Sequence, residues 1–153
     1  MDRTLEKVAA FITRTNRSAT ELLLFQHPNA GIQLPAGTVE PGEHHLDAIL
    51  REAGEETGLH DLAIEHLIGS MDTHLPENHY VVLNKTRVYA RPDLESFDWA
   101  EFRRGLPVIC HRATEGFCQV QYDEWDQFPD PNYITYSITG WVPDDCLVGH
   151  LRR

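Results

Sequence analysis

The chain of 153 residues is long enough for one domain and can bury a core without disulfide or metal staples. Its hydrophobic share of 41% and charged share of 24% are those of an ordinary globular protein, and no run approaches the ~18 apolar residues of a membrane helix. A net charge of -11 excludes general attraction to nucleic acid or anionic membranes, so a polyanionic ligand would need a local cation.

Met1 to Lys7 mixes acids and bases and reads as no secretory leader. Lys7 to Thr15 is β-branched and predicts a strand. Arg17 to Thr20 is a turn, and Glu21 to Gln26 predicts a second strand buried on both faces. His27 to Gly31 is a loop, Ile32 to Leu34 a short strand, and Pro35 to Gly37 with Pro41-Gly42 bracket another loop. Glu43 to Thr57 has helical period. Leu62 to Thr73 and His79 to Ala90 predict strands joined through Leu75 to Asn78. Phe97 to Arg104 predicts a short helix. Phe117 to Trp125 and Tyr133 to Val142 predict late strands around a turn at Phe128 to Asn132, and Asp144 to Leu151 a terminal helical turn or two. Strands gathered around one strong helix predict a mixed α/β or α+β sandwich. Cys110, Cys118 and Cys146 are odd in number and lack C-x-x-C spacing, which predicts free thiols and a cytoplasmic location.

The informative segment is Gly37 to Leu59, GTVEPGEHHLDAILREAGEETGL. Leu46, Ile49, Leu50, Ala53 and Thr57 fall on one stripe predicted to be buried. Gly58 and Leu59 predict a Schellman-type end. Glu52, Glu55 and Glu56 share a flanking side, where each like-charged pair costs roughly 0.2–0.5 kcal/mol. Glu55 and Glu56 also lie in the last turn, where the helix dipole disfavours anions. Gly54 inside the helix costs about 1 kcal/mol relative to Ala. Arg51 offsets part of this by reaching Glu55 or Glu43. Local costs of this kind mark a site. Clustered carboxylate oxygens on a rigid helix suit Mg2+ or Mn2+, against the plain alternative of a solvated acidic face.

Taken with its loop, the segment runs Gly37, five residues, Glu43, seven residues, then Arg51-Glu52-Ala53-Gly54-Glu55-Glu56-Thr57-Gly58-Leu59. It resembles the Nudix box at every fixed position. Ala53, small where the box has a bulky aliphatic residue, is the one soft departure. Gln33 to Gly37 resembles the strand that leads into the box. Gly140 to Asp145 resembles the segment that closes many members, with a C-terminal helix that would here be very short.

The resemblance implies a single Nudix hydrolase domain over 1–153. Its fold would be an α/β/α sandwich with a mixed sheet and a loop–helix–loop catalytic segment. Carried over by position, Glu52 and Glu56 would be the central ligands of Mg2+ or Mn2+. Glu55 would bind the same or a second cation, and a backbone carbonyl at Ala36 or Gly37 would add an oxygen. Arg51 and Glu43 would form a supporting ion pair, and Gly37 and Gly42 would serve backbone shape. The implied reaction is pyrophosphate hydrolysis of a nucleoside diphosphate linked to another group. The ADP-ribose, nucleoside triphosphate and dinucleoside polyphosphate types all remain open.

Downstream signals do not choose among them. Pro76 lies near the position of a proline typical of the ADP-ribose type, but a hairpin-turn proline is the plainer account of it. Tyr80 lies further on than the tyrosine of the dinucleoside type. The base would be a box glutamate or one of Glu115, Asp123, Glu124 and Asp126. Trp99, Trp125, Tyr122, Tyr133 and Tyr136 are candidates for stacking a nucleobase, against the plain role of core aromatics. Arg14, Arg17, Lys85, Arg87 and Arg91 are candidates for holding phosphate. His44 and His45 sit at the helix start. His74 and His79 lack a further ligand for zinc. The expected partner is a nucleotide-type small molecule, with neither membrane nor nucleic acid, and the resemblance carries an expectation of a homodimer. Three rivals stand beside this reading: a non-catalytic Nudix-fold module that senses a nucleotide, an isoprenoid diphosphate isomerase-like enzyme, and a structural domain with an acidic helix.

Overall fold

The computed structural model describes residues 3–153, which fall into two compact units. The first comprises residues 3–5, Asp72–Asp126 and Pro131–Arg152; the second comprises Glu6–Met71, Gln127–Asp130 and Arg153. Strand pairs within each unit are antiparallel.

The second unit carries the box. Its strands are β1 (Leu5–Ala9, which begins in the first unit), β2 (Thr13–Asn16), β3 (Ala19–Leu22), β4 (Phe25–His27), β5 (Gly31–Gln33) and β6 (Ala36–Thr38). The predicted strand over 7–15 is therefore two strands, broken after Ala9. β2 and β3 form a hairpin whose turn residue Arg17 takes a φ of 54°. The second predicted strand also differs from expectation. Its apolar run is split between β3 and β4, and its side chains are not buried on both faces, with Leu22 47% exposed. β6 pairs with β1, so the expected loop at Pro35 to Gly37 is in part a strand.

α1 (His45–Thr57) follows, the one α-helix among the described residues. His44 caps its start, its Nδ1 accepting from the Leu46 amide at 3.3 Å. Gly58 ends it in the left-handed region at φ 74°, a conformation glycine adopts without steric cost. The Leu59 amide donates to Thr57 Oγ1 at 3.2 Å, in place of the helix carbonyl a Schellman end would use. The buried helix residues are Ala48, Ala53 and Gly54, whereas Leu50 of the predicted stripe is 38% exposed. The helix is thus buried by its small residues, which allow close backbone approach, and the predicted stripe is correct chiefly at Ala53. The predicted strand over 62–73 is reduced to its end.

The first unit is a sheet of seven strands in the order β10-β9-β13-β12-β11-β8-β14. These are β8 (His79–Val82), β9 (Thr86–Tyr89), β10 (Asp98–Phe102), β11 (Pro107–Thr114), β12 (Phe117–Trp125), β13 (Ile134–Pro143) and β14 (Leu147–Val148); β7 (Asp72–His74) pairs separately with β15 (His150–Arg152). β12 and β13 fall where the alternation of the sequence places them. The helix predicted over 97–104 is instead β10, paired with β9. The terminal helical segment shrinks to one 3-10 turn, Asp144–Cys146, before β14 and β15. Val82, Val88, Phe102, Val120 and Val142 centre the core. All three cysteines are free. Burial pushes the Cys118 thiol up to about 12 and the Cys146 thiol to about 11, so both are packed, protonated groups. No helix among the described residues is long and apolar enough to cross a membrane.

Candidate active site

β6 and α1 bring the box residues together. In the antiparallel β1–β6 ladder, Ala10 donates to the Pro35 carbonyl and Val39 to the Glu6 carbonyl. Hydrogen-bonded pairs alternate along such a ladder, so Gly37 opposite Val8 faces β1, while Ala36 and Thr38 turn their backbone groups outward. Two contacts agree. The Ala36 amide donates to Glu56 Oε2 at 3.0 Å, and the Thr38 carbonyl accepts from Arg51 Nη2 at 3.1 Å. The outward carbonyl beside the carboxylates is therefore that of Ala36, and not of Gly37.

Gly37 has a different use. A Cβ there would stand 1.9 Å from the carboxyl carbon of Glu52 and 2.1 Å from its Oε1. The absence of a side chain is what lets this carboxylate lie against the strand. Glu52 and Glu56, one helical turn apart, thus both reach the backbone at 36–37.

Arg51 joins the acids. Its Nε donates to Glu43 Oε1 at 2.9 Å and its Nη2 to Glu43 Oε2 at 3.0 Å, a two-pronged contact. Its Nη1 donates to Glu52 Oε1 at 2.8 Å and lies 3.5 Å from Glu55 Oε2. Glu43 Oε2 also accepts the Glu40 amide at 2.9 Å. Hydrogen bonds from Arg51, then the one from Glu40, draw the Glu43 carboxyl down to about 2. The same contacts with Glu43 and Glu52 raise Arg51 further above its already high value. The Thr38 carbonyl and the Glu40 amide are partners that residue types could not reveal, because both contacts are made by backbone.

Glu55 is held less tightly, its side chain 61% exposed. Among the described residues no group of three or more His, Cys, Asp or Glu side chains is gathered closely enough to hold a metal ion by side chains alone. The arrangement nevertheless fits a hard dication that keeps several waters. Mg2+ is usually bound through one or two carboxylates plus water and substrate phosphate. Glu52 and Glu56 would supply carboxylate oxygens to such an ion, and the Ala36 carbonyl would supply a neutral one. Gly42, with φ 79°, shapes the turn before the helix and has open space around it.

Several of the remaining candidates have hydrogen-bond or ion-pair partners of their own, and others are simply exposed. Asp123 accepts from Ser137 and from Gln121 Nε2, and Glu124 from the Tyr122 hydroxyl. Asp126 accepts the amides of Asn132 and Tyr133, closing their turn. Glu115 is exposed beside Gly116 in the β11–β12 turn. Arg14 pairs with Glu21, Lys85 with Glu101 and Arg87 with Asp98. Arg17 is a turn residue, and the Arg91 amide donates to Ser96 Oγ. His44 and His45 rings lie 4.1 Å apart at the helix start. His74 stacks on His150 at 4.5 Å, while His79 Nδ1 contacts the Glu77 carbonyl. The Pro76 carbonyl accepts the His79 amide in the turn before β8, a turn role, although β7 and β8 do not pair as a hairpin. Trp99, Tyr133 and Tyr136 are exposed and Trp125 and Tyr122 half-buried, so none is deep core.

Known proteins agree with the box. The family model for the NUDIX domain matches residues 4–103. The chain is similar to the putative 8-oxo-dGTP diphosphatase YtkD of Bacillus subtilis (strain 168). The two are 31% identical over 99 residues, covering 61% of this chain and 56% of that protein. The chain thus matches a little over half the length of that relative. No solved structure matches it significantly.

Proposed function

Because the chain belongs to the Nudix hydrolase family, we propose that it is a Mg2+- or Mn2+-dependent pyrophosphohydrolase acting on a nucleoside diphosphate linked to another group. Similarity to a protein named as a diphosphatase of a nucleoside triphosphate favours the triphosphate type. The observation that carries the reading is the approach of Glu52 and Glu56 to one stretch of backbone at Ala36–Gly37.

Glu52, Glu56 and the Ala36 carbonyl would hold the cation, with Glu55 beside them. The cation would neutralise phosphate oxygens and make a bound water more acidic. Every other part is supplied by the chain. Glu43 fixes the Arg51 guanidinium from one side, and Arg51 fixes Glu52 Oε1 from the other. That linkage leaves Glu52 Oε2 available. Gly37 gives the carboxylate its place. A box glutamate would accept the proton of the attacking water; of the candidates outside the box, Asp123, Glu124 and Asp126 hold hydrogen bonds within their own strands and turn, and Glu115 lies exposed in the β11–β12 turn.

Membership of the family supports an α/β fold, and a single domain is part of this proposal. The described residues hold one α-helix and so one helical layer, not the two of an α/β/α sandwich. Three free thiols suit a reducing compartment such as the cytoplasm. The test is product analysis on nucleoside triphosphates, ADP-ribose, dinucleoside polyphosphates and nucleotide sugars, with and without Mg2+. Cation-dependent release of a nucleotide product is expected, with Glu56→Gln lowering turnover at least 100-fold while circular dichroism is unchanged. Near-normal turnover in that variant removes the mechanism.

A further inference from the structure

The first unit contains a cavity of about 310 Å3 on the β12–β13 ladder. Ligand pockets run from about 300 to about 1,000 Å3, so this one suits a ligand of few heavy atoms. Register sets its lining. Tyr122 pairs with Ile138 and Glu124 with Tyr136, so these four side chains share one face of the sheet. Phe102 and Leu106 complete the apolar part. The Tyr122 and Tyr136 rings stand 6.4 Å apart and are inclined at 60°, not stacked on each other. Tyr136 is 53% exposed and so has ring surface open to a ligand.

Charge selects among ligands. Glu124 Oε2 accepts from the Tyr122 hydroxyl, which fixes the carboxylate, and among the described residues no Lys, Arg or His pairs with it. Glu101 differs, being paired with Lys85 at 2.8 Å. Arg103 borders the cavity but is an exposed residue, where solvent screens its charge. An anion is repelled by Glu124. A neutral ligand would cover that carboxylate without pairing it, which is costly. A dication needs several oxygen ligands, and no group of three ligating side chains is gathered among the described residues. A primary ammonium brings three N–H donors to a lining whose one unpaired carboxylate already holds a hydroxyl. A fully alkylated ammonium needs no acceptor. Its methyl groups suit Ile138, Leu106 and the rings, and its charge is attracted to tyrosine ring faces and to Glu124. The net charge of -11 draws such a cation toward the molecule.

We propose that this cavity binds a small quaternary ammonium ligand, with its cationic head over the Tyr136 ring and beside Glu124. The assignment stands on the cavity and does not require hydrolysis at the box.

The test is saturation-transfer NMR of the intact protein with choline, in the absence of divalent cation and phosphate. Saturable binding is expected. The neutral carbon isostere 3,3-dimethylbutan-1-ol should bind at least about 10-fold more weakly, and ethanolamine, the primary ammonium, at least about 5-fold more weakly. Tyr136→Ala and Glu124→Gln should each weaken choline at least about 5-fold, while Tyr136→Phe, which keeps the ring, should retain it. Circular dichroism checks that each variant is folded. Glu56→Gln should leave choline binding unchanged, which separates this cavity from the carboxylates of the box. No saturable binding, equal binding of the isostere or of ethanolamine, undiminished binding in either Tyr136→Ala or Glu124→Gln, or loss of binding in Glu56→Gln overturns the site. Failure of all hydrolysis would defeat the functional proposal while leaving the choline result to decide this one.

Discussion

A methyl group added at Gly37 would meet the carboxyl carbon of Glu52 at 1.9 Å. The obstructed atoms are the far end of a flexible side chain, so the backbone can keep its course while the carboxylate turns away. Gly37→Ala is therefore expected to lower turnover at least 10-fold while shifting Tm by no more than a few degrees. Matched kinetics and thermal melts check this, and an active variant would show that Glu52 need not lie against the strand. Glu43 permits a second prediction. Its carboxyl is drawn down to about 2, chiefly by Arg51. A depressed carboxylate contributes stability that is fully present above its unfolded value and is lost as pH falls through the folded one. The Glu43–Arg51 contact should thus persist from neutrality to about pH 3. Carbon-detected NMR should give Glu43 a midpoint near 2, and a midpoint of 4 or more would mean the pair is not formed in solution. These residues were legible in the sequence because the box fixes their identity and spacing. The Ala36 carbonyl was left level with Gly37, since only the β1–β6 register decides which of the two faces outward.

At the scale of the helix, Gly54 looks in sequence like a cost accepted for the site. The structure supplies a packing reason, because a Cβ there would meet His60 Nδ1 at 2.8 Å and Cε1 at 2.9 Å. In an open helix Gly→Ala gains about 1 kcal/mol. Here Gly54→Ala should gain less than that or lose stability. Adding His60→Ala should restore the gain, and a double-mutant cycle in urea measures the coupling. Additive effects would mean that His60 does not press on the helix. The helix and its left-handed end were readable because capping and period are local properties. Tertiary pairing decided the misread elements. Asp98–Phe102 contains helix formers, yet it lies along β9 with Phe102 fully buried in the core. β11 went unnoticed because Pro107 and the polar stretch His111-Arg112 mask a strand set by β8 and β12 on either side. The run Glu21 to Gln26 reads as a buried strand, but two short hairpins divide it.

For the whole molecule the governing quantity is the net charge of -11. Self-repulsion of that size means that any salt stabilises by screening, so a rise in Tm with Mg2+ is not by itself evidence of a site. The two contributions differ in form. Screening depends on ionic strength and continues to grow with it, whereas a site saturates and contributes about 2.7 kcal/mol at a cation concentration 100 times its Kd. For a chain of this size that corresponds to a shift of about 5–10 °C. Melts in Mg2+ should therefore exceed melts in NaCl of equal ionic strength and level off. Glu56→Gln should remove the saturating part and leave the screening part, because it deletes one charge out of many but one ligand out of few. If wild type and variant gain equally, the cation is acting on the charge of the molecule, and the carboxylates beside Ala36 do not constitute its site.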